Sequence, residues 1–172
     1  TQQLSLDSQQ NYSTSVGSFT RSKGPYGTYD MNGSVWEMID PATKSSLSII
    51  LRGGGWTSYF TYLQSTYSIG GNAAASGSNG GFRLISEAAN PAVMGYDLVK
   101  VGHPRNRKDK TGFGAVNKPF WIGKYEVTIG QYCAFLNAVA KTDPYGLYDP
   151  AMTNSLNSGG IQRSGSSGNY TY

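Results

Sequence analysis

The sequence predicts an α+β domain made of short mixed strands, one clear helix and many long loops. The composition points this way, because 23 glycines and 13 tyrosines accompany an apolar fraction of only 38%, a balance that is rich in turns. Apolar residues follow a helical period in one segment, and the β-branched runs are short and end at turn residues. An aromatic fraction of 13% and a net charge of only +4 argue against a disordered chain.

Strands are predicted where β-branched and aromatic residues form short runs between turn signals. These runs cover residues 47–52, 82–86, 96–101 and 119–127. The first run ends at Gly53, Gly54 and Gly55, which let the backbone turn tightly ahead of Trp56. Residues 70–81, with the sequence GGNAAASGSNGG, instead predict a flexible surface loop.

The helix is predicted at about residues 128–140. Thr128 stands three residues before Gln131, which is the spacing of a capping box. One apolar face follows, formed by Ile129, Tyr132, Phe135, Leu136 and Val139. Cys133 lies beside this face, and it is predicted to be a small buried hydrophobe because no His or Lys stands near it in the sequence.

The chain length of 172 residues allows one domain with a sizeable core. Residues 87–91 are the best linker candidate, because alanine and asparagine there lead into a proline. We therefore divide the chain into a first piece, residues 1–90, and a second piece, residues 91–172. From Lys141 onward the second piece consists mainly of turn signals.

Charge and cysteine content exclude several classes of function. The net charge of +4 is too small to predict nucleic-acid binding. The nearest basic run is interrupted by Asp109 and reads as a solvated loop; it comprises Arg105, Arg107, Lys108 and Lys110. With Cys133 and His103 as the only residues of their types, neither an intrachain disulfide nor a structural zinc site is predicted. No run of 18 apolar residues predicts a membrane span.

Three sequons predict glycosylation and give some support to an extracellular or cell-surface location. They begin at Asn11, Asn32 and Asn169.

Four motifs stand at residues 24–37 (GPYGTYDMNGSVWE), 51–56 (LRGGGW), 81–84 (GFRL) and 120–137 (FWIGKYEVTIGQYCAFLN). The first resembles the "GLYDMxGNVWEW" motif of the formylglycine-generating, or sulfatase-modifying, enzymes. The second and third resemble that family's closing "RGGSW…GFR" elements, and the fourth is similar to its opening "F.IGKYEVTNxQYxxFLN" element. The resemblance covers roughly residues 17–86 and 99–140.

The sequence departs from that family in three respects. The family's closing elements come before its opening element, and no counterpart of its middle section, with an "LPTEAEWE" stretch, is present. The family's paired cysteines follow the GGSW element, but residues 57–67 contain none, and the first cysteine position falls on Ser58. Thiolates suit Cu(I) and hydroxyls do not, so no copper and no catalytic residue are expected.

The resemblance implies a decorated relative of the C-type lectin fold, with loops held by calcium. The positions that match the family's ion loop are Asp30, Gly33, Val35 and Glu37, which would supply carboxylate and carbonyl oxygens. The alternative is a tight turn in which Asp30 caps its own loop and Glu37 pairs with an arginine. Arg52 and Arg83 are predicted to pair with buried carboxylates such as Glu37 or Glu126.

A binding face is predicted after Trp56, where tyrosine provides large contact area at low entropic cost and serine adapts. Its residues are Thr57, Ser58, Tyr59, Phe60, Tyr62 and Tyr67. This stretch resembles the ligand-binding face of retroelement-diversified variable proteins, which share the fold. The alternative is that several of these aromatic residues pack in the core beside Trp56.

The reversed order of the pieces has three explanations: a circular permutant, a chain cut across tandem domains, or a subunit whose domain neighbouring chains complete. The leading function is a non-catalytic extracellular structural or binding module. One form of it is a self-assembling filament or surface-layer subunit that neighbouring chains complete. One alternative is a variable-protein or lectin-like domain with a protein or glycan ligand. The other is a fragment of a copper-dependent formylglycine-generating oxidase.

Overall fold

The computed structural model describes residues 12, 14–39, 48–72, 79–87, 95–108, 110, 112, 114–153 and 160–172. These residues form a mixed α+β fold with two open sheets of short strands, one α-helix and long loops. The fold class predicted from the sequence is therefore confirmed. Within these residues no helix has the length and apolar character that crossing a membrane requires.

The first sheet belongs to the first piece. It contains β1 (Trp36–Ile39), β2 (Ser48–Arg52), β3 (Ile69–Asn72) and β4 (Gly80–Gly81). Its order among the described residues is β3-β2-β1-β4, and only the β1–β4 pair is parallel. The loop predicted over residues 70–81 is wrong at both ends, where β3 and β4 pair with their neighbours, and residues 73–78 lie outside the described part. Glycine suits β3 because a Cβ on Gly71 would lie only 3.1 Å from Leu51 Cδ1.

The second sheet joins the two pieces of the chain. It contains β5 (Ile85–Ser86) from the first piece, and β6 (Leu98–Val101) and β7 (Phe120–Gly123) from the second. The order is β5-β7-β6 with antiparallel pairing, and each strand is shorter than the run predicted for it. Residues 88–94, which include most of the predicted linker, lie outside the described residues. Backbone hydrogen bonds therefore connect the two pieces within a single chain.

The helix α1 spans Ile129–Val139 and begins at a capping box, as predicted. The Gln131 amide donates to Thr128 Oγ1 at 3.2 Å, and the Thr128 amide donates to Gln131 Oε1 at 3.0 Å. Two backbone donors that the helix leaves unpaired at its start are satisfied in this way. The helix also buries Leu136 completely.

The most buried apolar side chains of the described residues surround the end of α1. They are Leu136, Ala140, Tyr148 and Ile161. Cys133 packs against this cluster as a small hydrophobe, but it is half-buried rather than buried as predicted. The Asn137 side chain secures Tyr172 beside it, because its amide donates to the Tyr172 carbonyl at 2.8 Å and its oxygen accepts from the Tyr172 amide at 3.1 Å.

Candidate functional site

The glycine turn, residues 53–56, holds the ion loop, residues 30–37, against the end of β2. Gly53 and Gly54 adopt φ values of +87° and +67°, which glycine reaches without strain. The Gly33 amide donates to the carbonyls of both, at 3.0 and 3.2 Å. The two loops therefore form one hydrogen-bonded platform, from which the residues after Trp56 extend.

Ser58, which the sequence analysis assigns to the family's first cysteine position, has a structural contact within this platform. The Gly55 amide donates to Ser58 Oγ at 2.9 Å, and the Ser58 amide donates to the Gly55 carbonyl at 2.9 Å. The hydroxyl therefore closes the glycine turn as a hard oxygen acceptor. A hydroxyl oxygen is a poor ligand for Cu(I), which favours thiolate and thioether sulfur.

The aromatic face, defined as Thr57, Ser58, Tyr59, Phe60, Tyr62 and Tyr67, divides into an exposed edge and a packed base. Tyr59 and Phe60 are 62% and 78% exposed, at the start of a 3-10 helix, Phe60–Leu63. Tyr62 and Tyr67 are half-buried, with ring centroids 4.7 Å apart. Thr57 is exposed and accepts a hydrogen bond from the Asn79 side chain at 3.3 Å.

The packed base rests on Trp36 rather than on Trp56. The centroid of a Trp36 ring lies 6.0 Å from that of Tyr62 and 6.3 Å from that of Tyr67. Trp56 instead stacks on Tyr12, with centroids 5.4 Å apart, and its buried indole nitrogen has no hydrogen-bond partner among the described residues. The sequence analysis missed the roles of Trp36 and Tyr12; the WE dipeptide of the first motif was the available signal for Trp36.

In the ion loop, the two carboxylates have protein partners. Asp30 is buried at φ +54°, and its carboxylate accepts from the Gly17 amide at 2.5 Å and from the Ser22 hydroxyl at 3.4 Å. Glu37 accepts from Arg83 Nε at 2.5 Å. The Glu37–Arg83 pair corresponds to the arginine pair that the sequence analysis gave as the alternative to calcium. Asp30, in contrast, binds Gly17 and Ser22 rather than capping its own loop.

Calcium binding at Asp30, Gly33, Val35 and Glu37 stays a prediction. Among the residues that the structure describes, no three or more His, Cys, Asp or Glu are grouped so that they could hold a metal. A calcium ion at the loop would compete with Arg83 for the Glu37 carboxylate, and breaking this buried pair would leave the Arg83 charge with one partner fewer, which costs free energy.

Arg83 lies at the centre of the junction between the two pieces, with a side chain only 2% exposed. Besides Glu37, its guanidinium donates to the Tyr29 carbonyl at 2.6 Å and to the Lys124 carbonyl at 3.0 Å. The predicted pairing of Arg83 with buried carboxylates is confirmed. Arg52 donates to the carbonyl of Ser65 at 2.8 Å, and its pairing with a buried carboxylate stays a prediction.

Glu126 is the least satisfied charged group at this junction. Its Oε1 lies 3.4 Å from Arg83 Nη2, within ion-pair range, but neither carboxylate oxygen has a hydrogen-bond partner in the described part of the chain. Burial raises the pKa of Glu126 to about 7, Arg83 opposes the rise, and the charges of Glu37 and Asp30 add to it. Burial also raises the pKa of Glu37, against the attraction of Arg83.

Of the remaining predicted positions, Asn32 belongs to the ion loop and the others lie apart from this platform in the sequence. The side chains of Asn32 and Asn169 are exposed, and Asn11 lies outside the described residues. His103 is exposed, as are Arg105, Arg107, Lys108 and Lys110. Glycosylation stays a prediction at all three sequons.

Comparison with known proteins agrees with the resemblance read from the motifs. A model of the family described as the sulfatase-modifying factor enzyme 1-like domain matches residues 2–88. This range contains the ion loop, the glycine turn, the aromatic face and Arg83. Neither the curated proteins nor the solved structures that were compared gave a match. The chain belongs to the sulfatase-modifying factor enzyme 1-like domain family.

Proposed function

We propose that this chain is a non-catalytic, extracellular binding module that recognises a ligand through its aromatic face. The observation that carries the proposal is Ser58. It occupies the position at which the related enzymes are expected to carry the first copper-binding cysteine, and its hydroxyl is engaged in closing the glycine turn at 2.9 Å. On this proposal the chain keeps the platform but carries a hydroxyl where the related enzymes carry a thiolate.

The cysteine content supports the non-catalytic part of this proposal. The sequence contains one cysteine, Cys133. It lies within α1 and packs against the apolar cluster around Leu136. A copper-dependent oxidase fragment is the competing proposal, and it would need a pair of thiolates, which suit Cu(I).

The arrangement of the aromatic face supports the binding part. Tyr59 and Phe60 expose most of their surface. Tyr62 and Tyr67 pack on Trp36, and the Tyr59 ring meets that of Tyr62 with centroids 6.1 Å apart. The edge therefore adjoins a packed base, and the contact with Tyr62 reduces the conformational entropy that Tyr59 would lose when a ligand binds. Single exposed apolar residues are common on protein surfaces, but two adjacent aromatic side chains on such a base are well suited to anchor a partner.

Selection from a peptide display library tests the binding face directly. Ligands are selected on the wild-type chain, and their affinities are then measured for Tyr59→Ser and Phe60→Ser. Tyr145→Ser serves as the matched control, because Tyr145 is 86% exposed in a separate loop. We expect the two face variants to lose at least about tenfold in affinity, as truncation of an aromatic anchor does, and the control to bind like wild type. Equal binding by all four proteins would contradict the proposal.

We further propose that residues 1–90 and 91–172 form one domain in permuted order. The β5–β7 pairing and the contacts of Arg83 support closure within one chain. Self-association with neighbouring copies stays a prediction from the sequence. Light scattering on a sizing column tests it: a species of many chains would support self-association, and a species of one chain mass would contradict it.

A further inference from the structure

A concave site lies at the junction of the two pieces, on residues outside the aromatic face. The pocket has a volume of about 420 Å³ and is lined by Lys23, Tyr26, Gly27, Tyr29, Asp97, Leu98, Val99 and Lys124. This volume is within the range of small-molecule sites. Residues of the first piece form one wall and residues of the second piece form the other.

Backbone hydrogen bonds fix the walls of this pocket. The Tyr29 amide donates to the Lys124 carbonyl at 2.8 Å, and the Lys124 amide donates to the Asp97 carbonyl at 2.8 Å. The wall from the first piece, which carries Tyr26 and Tyr29, contains a turn in which the Gly24 amide donates to the Thr28 carbonyl at 2.7 Å. Gly27 in this turn has φ +91°, and a Cβ there would lie 3.5 Å from Lys23 Cε and 3.6 Å from Val99 Cγ1. A side chain at this position would therefore be strained and would enter the pocket.

The pocket carries two ammonium groups without carboxylate partners in the described part of the chain. All ion pairs found there belong to Arg83 or Arg163, so neither Lys23 nor Lys124 forms an ion pair with another described residue. Lys124 Nζ lies 5.8 Å from the ring centroid of Tyr29 and 5.2 Å from that of Tyr125, which positions it by cation–π attraction. Two such cations in one concavity attract an anionic group.

The other lining groups restrict the rest of the ligand. Asp97, exposed at the pocket, disfavours a second negative charge and can accept hydrogen bonds from hydroxyl groups. Tyr26 is 41% exposed and offers an aromatic ring together with a phenol. A ligand that fits all of these groups has one anionic group, several hydroxyls and a compact ring with an apolar face.

We propose that this pocket binds an acidic sugar, in which a sulfate or carboxylate group contacts Lys23 and Lys124 while the ring lies against Tyr26. This lysine–tyrosine pocket is independent of the aromatic face. Its ligand is recognised by charge and hydroxyl groups, and it requires both pieces of the chain to be in contact.

Titration calorimetry on the full chain tests the proposal with four probes: a sulfated disaccharide, a uronic-acid disaccharide, a neutral disaccharide and a free amino acid. We expect at least one acidic disaccharide to bind, with affinity that falls as salt is added, and the neutral disaccharide to bind at least about tenfold more weakly. Which of the two acidic disaccharides binds shows whether the pocket recognises sulfate or carboxylate. Binding of neither acidic sugar, equal binding of the neutral sugar, or a preference for the amino acid would overturn the proposal.

Three variants locate the site. Lys23→Gln and Lys124→Gln are each expected to weaken the acidic sugar about tenfold, through loss of a charge-assisted hydrogen bond. Lys118→Gln is the matched control, because Lys118 is exposed and does not line the pocket. Lys23 is exposed, so its substitution leaves folding intact even if Lys124→Gln loosens the junction. If Lys118→Gln weakens binding as much as Lys23→Gln does, the attraction is a general effect of charge and the pocket assignment is wrong.

Discussion

Substituting Glu126 by glutamine should make the protein more stable at alkaline pH. Glu126 is 5% exposed, its carboxylate oxygens have no hydrogen-bond partner among the described residues, and its pKa is raised from 4.5 to about 7 in the folded chain. A carboxyl whose pKa is raised by folding binds its proton more tightly in the folded state. Its stabilising contribution is therefore full below pH 4.5 and is lost as the pH rises through about 7.

The size of the effect follows from the two pKa values. At about 1.4 kcal/mol per pH unit, a rise from 4.5 to about 7 corresponds to roughly 3 kcal/mol between pH 4 and pH 8. Glutamine has a similar shape and stays neutral, so Glu126→Gln should remove most of this loss. For a chain of this length about 3 kcal/mol corresponds to a Tm difference of roughly 6–12 °C at pH 8. The attraction of Arg83 for the ionised form is already included in this pKa of about 7.

Thermal unfolding followed by tryptophan fluorescence at pH 5 and pH 8 measures this difference. Glu87→Gln is the control, because Glu87 is exposed and its neutralisation should leave the pH dependence of Tm as in wild type. The wild type should lose stability between the two pH values, and Glu126→Gln should lose much less. A Glu126→Gln protein that is less stable than wild type at pH 8 would refute the reasoning, because it would mean that the ionised carboxylate stabilises the junction.

Three further predictions concern the platform and the helix. Gly54→Ala should lower the free energy of unfolding by about 1–3 kcal/mol, because φ is +67° and the new Cβ would lie 2.7 Å from Leu63 Cδ2; Gly70→Ala, where a Cβ has open space, is the control, and equal losses would contradict this explanation. Thr128→Ala should cost about 1 kcal/mol in urea unfolding through loss of the helix cap, and an unchanged midpoint would show that the cap contributes little. If the predicted calcium site exists, calcium raises the Tm of wild type but not of Glu37→Gln, whereas a wild-type Tm that is the same with calcium and with a chelator would contradict the site.

Local signals in the sequence account for the parts of the fold that were predicted. The capping box of α1, the β-branched run of β2 and the glycines after it each depend on neighbours within a few residues, so the pattern determines the structure. The partners of Arg83 were predictable for another reason. A buried guanidinium needs carboxylate or carbonyl acceptors, and Glu37 and Glu126 stand in the first and fourth of the motifs that resemble the family.

The parts that were missed depend on contacts between distant residues. β3 and β4 consist largely of glycine, which carries no side-chain signal, and they become strands only because β2 and β1 pair with them. The stacking of Tyr12 on Trp56 joins positions 44 residues apart and follows no sequence period. The division of the aromatic face into an exposed edge and a packed base also follows no sequence period, because it depends on the contacts of Tyr62 and Tyr67 with Trp36.

The measurement that tests the central claim most directly is copper-dependent oxidation of a sulfatase-type cysteine peptide, followed by mass spectrometry of the peptide and by oxygen consumption. The proposal that Ser58 closes the turn in place of a copper-binding thiolate predicts no peptide oxidation above a protein-free copper control. Catalytic conversion of the peptide cysteine to formylglycine by this chain would contradict the proposal and would show that the chain is an enzyme.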